Sequence, residues 1–335
     1  MPSTRQRITV IGTGCIGASI GMALRLSEDA DHLEVVGHDK APGRARQAKK
    51  LGAFDRTAVN LHVALRSAHL VIIAVPLSAM REVFQDVGAR LEPDSGVVVT
   101  DTGPLKVPAI RWAQDALPKG VHYVGGDPFL APGVGGWEHL QSVADADPEL
   151  FEAAVYAVTA RAEDHPGAVR TVANLAVVLG ATPLFMDPVE HDAVRHRVST
   201  VPGLVATALF GSTVTAPGWA EMRKAAARDF ATATAPLAGE VASRRMAALL
   251  GREAVLRGID ACQARLSELR EAVASGDAER LDSAIADAVE GRVRWLVESA
   301  SRSWQPAMAS TGRESLFDRT IQAISGEGGT RRSRK

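Results

Sequence analysis

Residues 8–39 read ITVIGTGCIGASIGMALRLSEDADHLEVVGHD, and this stretch decides the fold. Ile8 to Ile11 is a short apolar run that predicts a strand. It passes directly into Gly12-Thr13-Gly14-Cys15-Ile16-Gly17, a G-x-G-x-x-G set followed by a helical pattern from about Ile16 to Leu26. The first glycine permits a tight turn, the second lets backbone approach a pyrophosphate, and the third lets helix and strand pack closely. Phosphates then sit on the free N–H groups and the positive dipole end of the helix. Leu33 to Gly37 predicts a second strand, and Asp39 stands at its end, 22 residues beyond Gly17. A carboxylate there accepts hydrogen bonds from adenosine ribose hydroxyls. Glycines and acid together imply a dinucleotide site. Asp39 favours NAD because it repels a 2′-phosphate, while Lys40 and Arg44 leave NADP open. Cys15 is read as a small filler beneath the dinucleotide.

Working outward, the first half alternates short apolar runs with helical patterns, the signature of a parallel sheet with crossover helices. A helix is expected near Arg44 to Leu51, and a short apolar segment at Ala58 to Leu61 leads to another ending near Ser67. His69 to Val75 (HLVIIAV) and Gly96 to Thr100 (GVVVT) read as strands apolar on both faces, with Tyr123 and Val124 in a sixth. The expectation is an α/β chain: a doubly wound, Rossmann-type parallel sheet over residues 1–160. From Ala168 strand signals fade except at Pro183 to Met186. Long helical patterns at Glu190 to Phe210, Leu237 to Val273 and Ala278 to Ser299 predict an all-helical second domain over 161–305. Such helices pack against something large, either a second subunit's helices or a larger monomeric bundle. Residues 306–335 are expected to form a tail, its basic, glycine-rich end (Ser325 to Lys335) disordered.

Charge and composition narrow the partners. Lys plus Arg number 38 against 39 Asp plus Glu, so no global field gathers nucleic acid or an anionic membrane. Aromatic residues at 4% are too sparse for a base-stacking platform. Cys15 and Cys262 form neither a disulfide framework nor a zinc set, and no metal site is expected. Without a secretory signal or a long apolar span, the expectation is a cytoplasmic protein.

Taken in order, several segments resemble the prephenate and arogenate dehydrogenase family: GTGCIGASIGMAL, VVGHD, HLVIIAVP, VVVTDTGPLK, YVGGDPFLAPGVGG, MDPVEHDAV, VSTVPGLVATAL and VEGRVRW. The resemblance implies a nicotinamide domain, a helical domain that forms a homodimer, and an active site in the cleft between them. It places Ala74, Val75, Pro76, Asp101 and Thr102 with the glycine loop around the cofactor. The implied substrate is a cyclohexadienyl acid. It loses a hydride from the ring carbon bearing the hydroxyl, then carbon dioxide, and becomes aromatic.

The chain departs from the family where that chemistry needs side chains. The family's DxGSxK pattern reads Asp101-Thr102-Gly103-Pro104-Leu105-Lys106, so its serine is Pro104. GGHP reads Gly125-Gly126-Asp127-Pro128, and SHLPH reads Ser199-Thr200-Val201-Pro202-Gly203, so three histidines are gone. A carboxylate at Asp127 suits an ammonium better than a hydroxyl, which points to an amino-bearing substrate such as 4-amino-4-deoxyprephenate. The alternative is that Asp127 only caps a turn. His196 shares a helical face with Thr200 and residue 203, and is either a relocated acid/base or a solvated helix residue. Lys106 holds either an anionic substrate or a nearby backbone turn. Arg223 or Lys224 is the candidate carboxylate-binding cation. His191-Asp192 is read as holding a helix start. A dehydrogenase with an altered substrate is the leading reading. A dinucleotide-binding sensor without turnover, and a dehydrogenase of an unrelated specialised metabolite, are the alternatives.

Overall fold

The computed structural model describes residues 5–132, 140 and 142–301. The expected tail at 306–335 and the glycine-rich residues 133–136 lie outside these. Six strands form one parallel sheet: β1 (Gln6–Ile11), β2 (Leu33–His38), β3 (Arg56–Thr57), β4 (Leu70–Ile73), β5 (Val98–Asp101) and β6 (His122–Tyr123). Their spatial order is β3-β2-β1-β4-β5-β6. The crossovers are helices α1 (Cys15–Leu26), α2 (Pro42–Lys50), α3 (Leu61–Leu65), α4 (Leu77–Gly88) and α5 (Lys106–Ala116). Period-two alternation buries both faces. Ile8, Val10, Leu70, Ile72 and Val98 turn to the core under α1, while Ile11, Val71, Ile73 and Val99 turn to the core under α4 and α5. Strand order reverses between β1 and β4, so a crevice opens at the carboxyl ends of those strands.

A second sheet continues this unit past residue 160. Strands β7 (Gly125–Phe129), β8 (Val155–Thr159) and β9 (Thr182–Met186) pair in that order, β7 antiparallel and β9 parallel to β8. Helix α6 (Pro166–Val178) crosses between β8 and β9, and its Val169, Val172 and Leu175 share a core with Val10 and Ile72. The boundary expected at 160 therefore falls inside a continuous unit running to Met186. The helical composition after Ala168 belongs first to a crossover and only later to a separate bundle.

The bundle starts with α7 (Pro188–Arg195), a π-helical turn at His196–Thr200, and α8 (Val201–Val214). These form the expected 190–210 rod with one wide turn in it. Helices α9 (Trp219–Ala225), α10 (Arg228–Thr234), α11 (Val241–Leu250), α12 (Arg252–Ser275) and α13 (Ala278–Ser301) follow. The helix expected over 237–273 is split at Gly251, where the chain passes close to the end of α7 and the π-helical turn. A Cβ on Gly251 would lie 1.9 Å from Nε2 of His196, so only glycine lets the chain pass this ring. Among the described residues no helix is long and apolar enough to cross a membrane.

Candidate active site

The glycine loop sits at the head of the crevice. Gly12 has φ +92°, and a Cβ there would lie 2.2 Å from the Ala74 carbonyl oxygen. A Cβ on Gly17 would lie 1.9 Å from the Gly12 carbonyl oxygen, so both positions are fixed by packing. Gly14 is different: nothing lies within 4 Å of its Cβ position. Helix α1 begins there without a side-chain cap, leaving its first N–H groups and positive dipole end toward open space. Asp39 is buried, and its Oδ2 accepts from the Thr13 N–H (2.9 Å) and Oγ1 (3.2 Å) while Oδ1 accepts from the Ala41 N–H (2.8 Å). It locks the loop, and because a carboxylate has about four acceptor sites it can still receive a ribose hydroxyl. Arg44 reaches within 3.6 Å of it. Ala74, Val75 and Thr102 are half-buried and Pro76 is exposed along the crevice edge. Ala74 donates to the Ile11 carbonyl and Thr102 to that of Ile73, which ties this edge to the sheet. These residues fit a dinucleotide. Burial pushes the Cys15 thiol up to about 11, so it is inert filler, half-buried Ile16 flanking it.

A closed set of charges lies beside the crevice. Lys106 is fully buried, and its Nζ donates to Asp101 Oδ1 (2.5 Å) and to the Gly126 carbonyl (2.6 Å). Gly125 makes room for it, since a Cβ there would lie 2.7 Å from Lys106 Cδ. Tyr123 donates to Asp101 Oδ2 at 2.5 Å; burial, then the Asp101 charge, holds its hydroxyl well above the ordinary range, so it remains a donor. Asp127 is also fully buried. Arg195 grips it bidentately, Nε to Oδ2 at 2.6 Å and Nη2 to Oδ1 at 2.8 Å, with the guanidinium over the Phe129 ring. His191 lies between two acids, Nε2 3.1 Å from Asp127 Oδ2 and Nδ1 2.9 Å from Asp192 Oδ1. Carboxylates only accept, so these two neighbours favour the ring with a proton on each nitrogen. Burial disfavours that imidazolium, but the bonds to Asp127 and Asp192 outweigh it and its pKa is raised. Burial likewise works against the Asp127 charge, and Arg195 followed by His191 reverses this, so its pKa is lowered. Three carboxylates (Asp101, Asp127, Asp192) meet three cations (Lys106, Arg195, His191). Asp192 also accepts from the Lys106 and Val107 N–H groups, capping α5 from the bundle.

The helix start that His191-Asp192 holds is thus that of α5, while Asp187 caps their own helix. Lys106 is spent on the Asp101 carboxylate and on a carbonyl of strand β7, which is neither a substrate nor a turn. Asp127 is not a free acceptor for an ammonium, because Arg195 and His191 already occupy it. His196 is 3% exposed, 3.3 Å from Thr200 Oγ1 and packed on Gly251, so it is neither solvated nor open to the crevice; burial lowers its pKa and keeps it neutral. Arg223 and Lys224 are exposed on α9, bonded to the Ala220 carbonyl and Glu221, and the structure does not bring them to the cluster. Sequence reasoning missed Arg195. The signal was there, since an aspartate on a buried strand demands a cation. Among the described residues, no group of His, Cys, Asp and Glu is arranged to hold a metal ion.

Residues 22–183 match the prephenate dehydrogenase nucleotide-binding domain model, and residues 187–287 match the prephenate dehydrogenase dimerization domain model. The first match begins after the glycine loop, so the loop's reading stands on its own geometry. Prephenate dehydrogenase of Bacillus subtilis (strain 168) is 28% identical over 282 residues, covering 84% of this chain and 74% of that protein. Cyclohexadienyl dehydrogenase of Zymomonas mobilis is 28% identical over 282 residues, covering 82% and 91%. The crystal structure of prephenate dehydrogenase from Aquifex aeolicus in complex with hydroxyphenyl propionate and NAD+ is similar with a TM-score of 0.76 at 22% identity, covering 88% of this chain and 99% of that one. Synechocystis arogenate dehydrogenase gives 0.67 at 19% identity, with 87% and 100% covered. At these identities the two structures establish the fold.

Proposed function

The chain belongs to the prephenate dehydrogenase family, and from that premise we propose that it is an NAD-dependent dehydrogenase of a cyclohexadienyl acid. The observation that carries this is the open, uncapped start of α1 over Gly14, with Asp39 at the end of β2. Backbone N–H groups of the loop hold the pyrophosphate, and Asp39 receives the adenosine ribose. Nicotinamide, when bound, supplies the hydride acceptor. The salt-bridge set beside the crevice ties strand β7 to β5 and to α7, and Arg195, the last residue of α7, is its most exposed member. We favour a hydroxyl-bearing over an amino-bearing ring acid, because Asp127 has no uncompensated charge to offer an ammonium. The same saturation supports a second reading, a dinucleotide sensor without turnover, since Asp127 stands where the family's histidine is expected.

The bundle further supports a homodimer. Ile285, Val289, Val293 and Val297 recur every four residues on α13, all more than half exposed, a stripe that a lone chain leaves in water. Such an assembly would act in the cytoplasm on a small acidic substrate.

Prephenate, arogenate and 4-amino-4-deoxyprephenate, each supplied with NAD and with NADP, test the reading by formation of reduced nicotinamide. Turnover of a hydroxyl-bearing acid with NAD is expected, from a particle of twice the 35.3 kDa chain mass by light scattering. NAD binding without turnover of any ring acid would leave the sensor. Turnover of the amino compound alone would restore Asp127 as an ammonium acceptor.

A further inference from the structure

Away from the crevice, a cavity of about 310 Å³ opens at the edge of the six-stranded sheet. Its walls are the last turn of α5 with the residues that follow it to Val121, strand β6, and residues 161–165. His122 pairs with Val98, the first residue of β5, so the cavity lies toward the amino ends of the strands. The cofactor crevice lies at their carboxyl ends, and the proposed dehydrogenase chemistry makes no use of this place.

By formal charge Lys119 and Arg161 offset Glu163 and Asp164 in its lining, but geometry divides them unequally. Arg161 holds both acids within its own loop. Its Nη2 donates to Asp164 Oδ1 at 2.6 Å, its backbone N–H to Asp164 Oδ2 at 2.7 Å, and Nη1 lies 3.1 Å from Glu163 Oε1. Tyr123 is spent as well, since its hydroxyl donates to Asp101. Left over are the Lys119 ammonium, the Gln114 amide and the rings of His122 and His165. Among the described residues none of these four makes a side-chain hydrogen bond or an ion pair. The two rings stack, with centroids 4.5 Å apart and planes inclined by 23°. Histidine is the side chain that gains charge near neutrality, and two stacked imidazolium rings near an ammonium repel one another. An anion among them relieves that repulsion. All four unspent groups carry N–H donors, so the ligand that suits them supplies acceptors and negative charge. The volume stands at the lower end of small-molecule sites, roughly 300–1,000 Å³, which limits the ligand to a compact one.

We propose that this cavity is a second ligand site, taking a compact oxyanion, a phosphoryl group or a small dicarboxylate, through Lys119, His122 and His165, with Gln114 completing the donor set. Tyr123 sets the site against the back of the buried charge cluster, because the ring that lines the cavity carries the hydroxyl that holds Asp101. The proposal is independent of which ring acid the crevice turns over.

Inorganic phosphate and malonate, each titrated by calorimetry into the NAD-saturated full chain at neutral pH, test this, with chloride at matched ionic strength as the blank. Saturation with NAD keeps the anions from the N–H groups of the glycine loop. Lys119→Ala, His122→Gln and His165→Gln are each expected to weaken the binding by roughly 10-fold or more, the worth of a hydrogen bond to a charged group. Circular dichroism and NAD affinity, both expected to stay at wild-type values, report on folding. Lys119 and His165 are exposed, so their variants decide even where His122→Gln disturbs the sheet edge. Binding of phosphate alone marks a phosphoryl ligand and binding of malonate alone a dicarboxylate, and either one, weakened in the variants, upholds the site. No binding of either anion by the wild type overturns it. So does binding that is equal in the wild type, Lys119→Ala and His165→Gln, because the anion then sits elsewhere.

Discussion

The two sides of the crevice are built by opposite means. At the glycine loop, side chains are missing and donors wait unanswered: Gly14 faces open space and α1 starts uncapped. In the cluster of Asp101, Lys106, Asp127, His191, Asp192 and Arg195, each charge meets its opposite within about 3 Å. The first is a surface prepared for a ligand that brings its own negative charge. The second is an internal joint. Its salt bridges and the capping of α5 by Asp192 connect strand β7 and the two structural units, and its role in the free protein is to position. The member of this side that reaches furthest into solvent is Arg195, at its edge.

The strongest way to break the comparison is to remove one charge from the joint. Lys106→Met leaves Asp101 buried without its cation and the Gly126 carbonyl without a donor, and should cost about 3–5 kcal/mol in chemical denaturation. Adding Asp101→Asn should return part of that loss, because a neutral pair needs no compensation. A cost near 1 kcal/mol for Lys106→Met, the size of an exposed pair, would mean that the joint is not closed. Next in size is a contrast within the loop. Gly17→Ala drives a methyl into the Gly12 carbonyl and should destabilise the fold by about 1–3 kcal/mol. Gly14 has an ordinary φ of −69° and free space, so Gly14→Ala should leave stability within about 0.5 kcal/mol. It should nonetheless weaken NAD binding roughly tenfold, because the methyl occupies the ligand's space. Equal stability losses in the two variants would deny that Gly14 faces open space.

This division also explains what the sequence made legible. The cofactor side is contiguous: Gly12, Gly14, Gly17 and Asp39 lie within 28 residues, and backbone geometry alone assigns their roles. The six-stranded sheet was equally readable, because doubly buried strands such as HLVIIAV have few other homes. The joint draws on residues 101–106, 127 and 191–195, and spacing says nothing about which acid meets which cation across such separations. Asp127 could be noticed but its partner could not, so its charge looked available for a substrate. His196 failed for a related reason: its helical face was inferred correctly enough to place Thr200 beside it, yet the neighbour covering that face, Gly251, comes from α12's start. The boundary expected at 160 moved because α6 is helical in composition while completing a β-sheet crossover.

The smallest expected effect concerns protons in the joint. His191 has its folded pKa raised above the ordinary 6.5, so the folded state holds a proton that the unfolded chain releases. Its contribution to stability is complete below pH 6.5 and is lost as pH rises through the folded value. Asp127 has the opposite sign: its pKa is lowered, so its contribution is present above the ordinary 3.8 and lost as pH falls through the folded value. The joint is therefore strongest in the interval between the two. One proton limits the alkaline slope to about 1.4 kcal/mol per pH unit. Denaturation midpoints measured upward from pH 6 should decline for the wild type, and more gently for His191→Gln, which has no proton to lose there. Parallel slopes would mean that His191 is neutral in the fold. One of its two carboxylate contacts would then lack a donor, and the count of three charges against three would no longer hold.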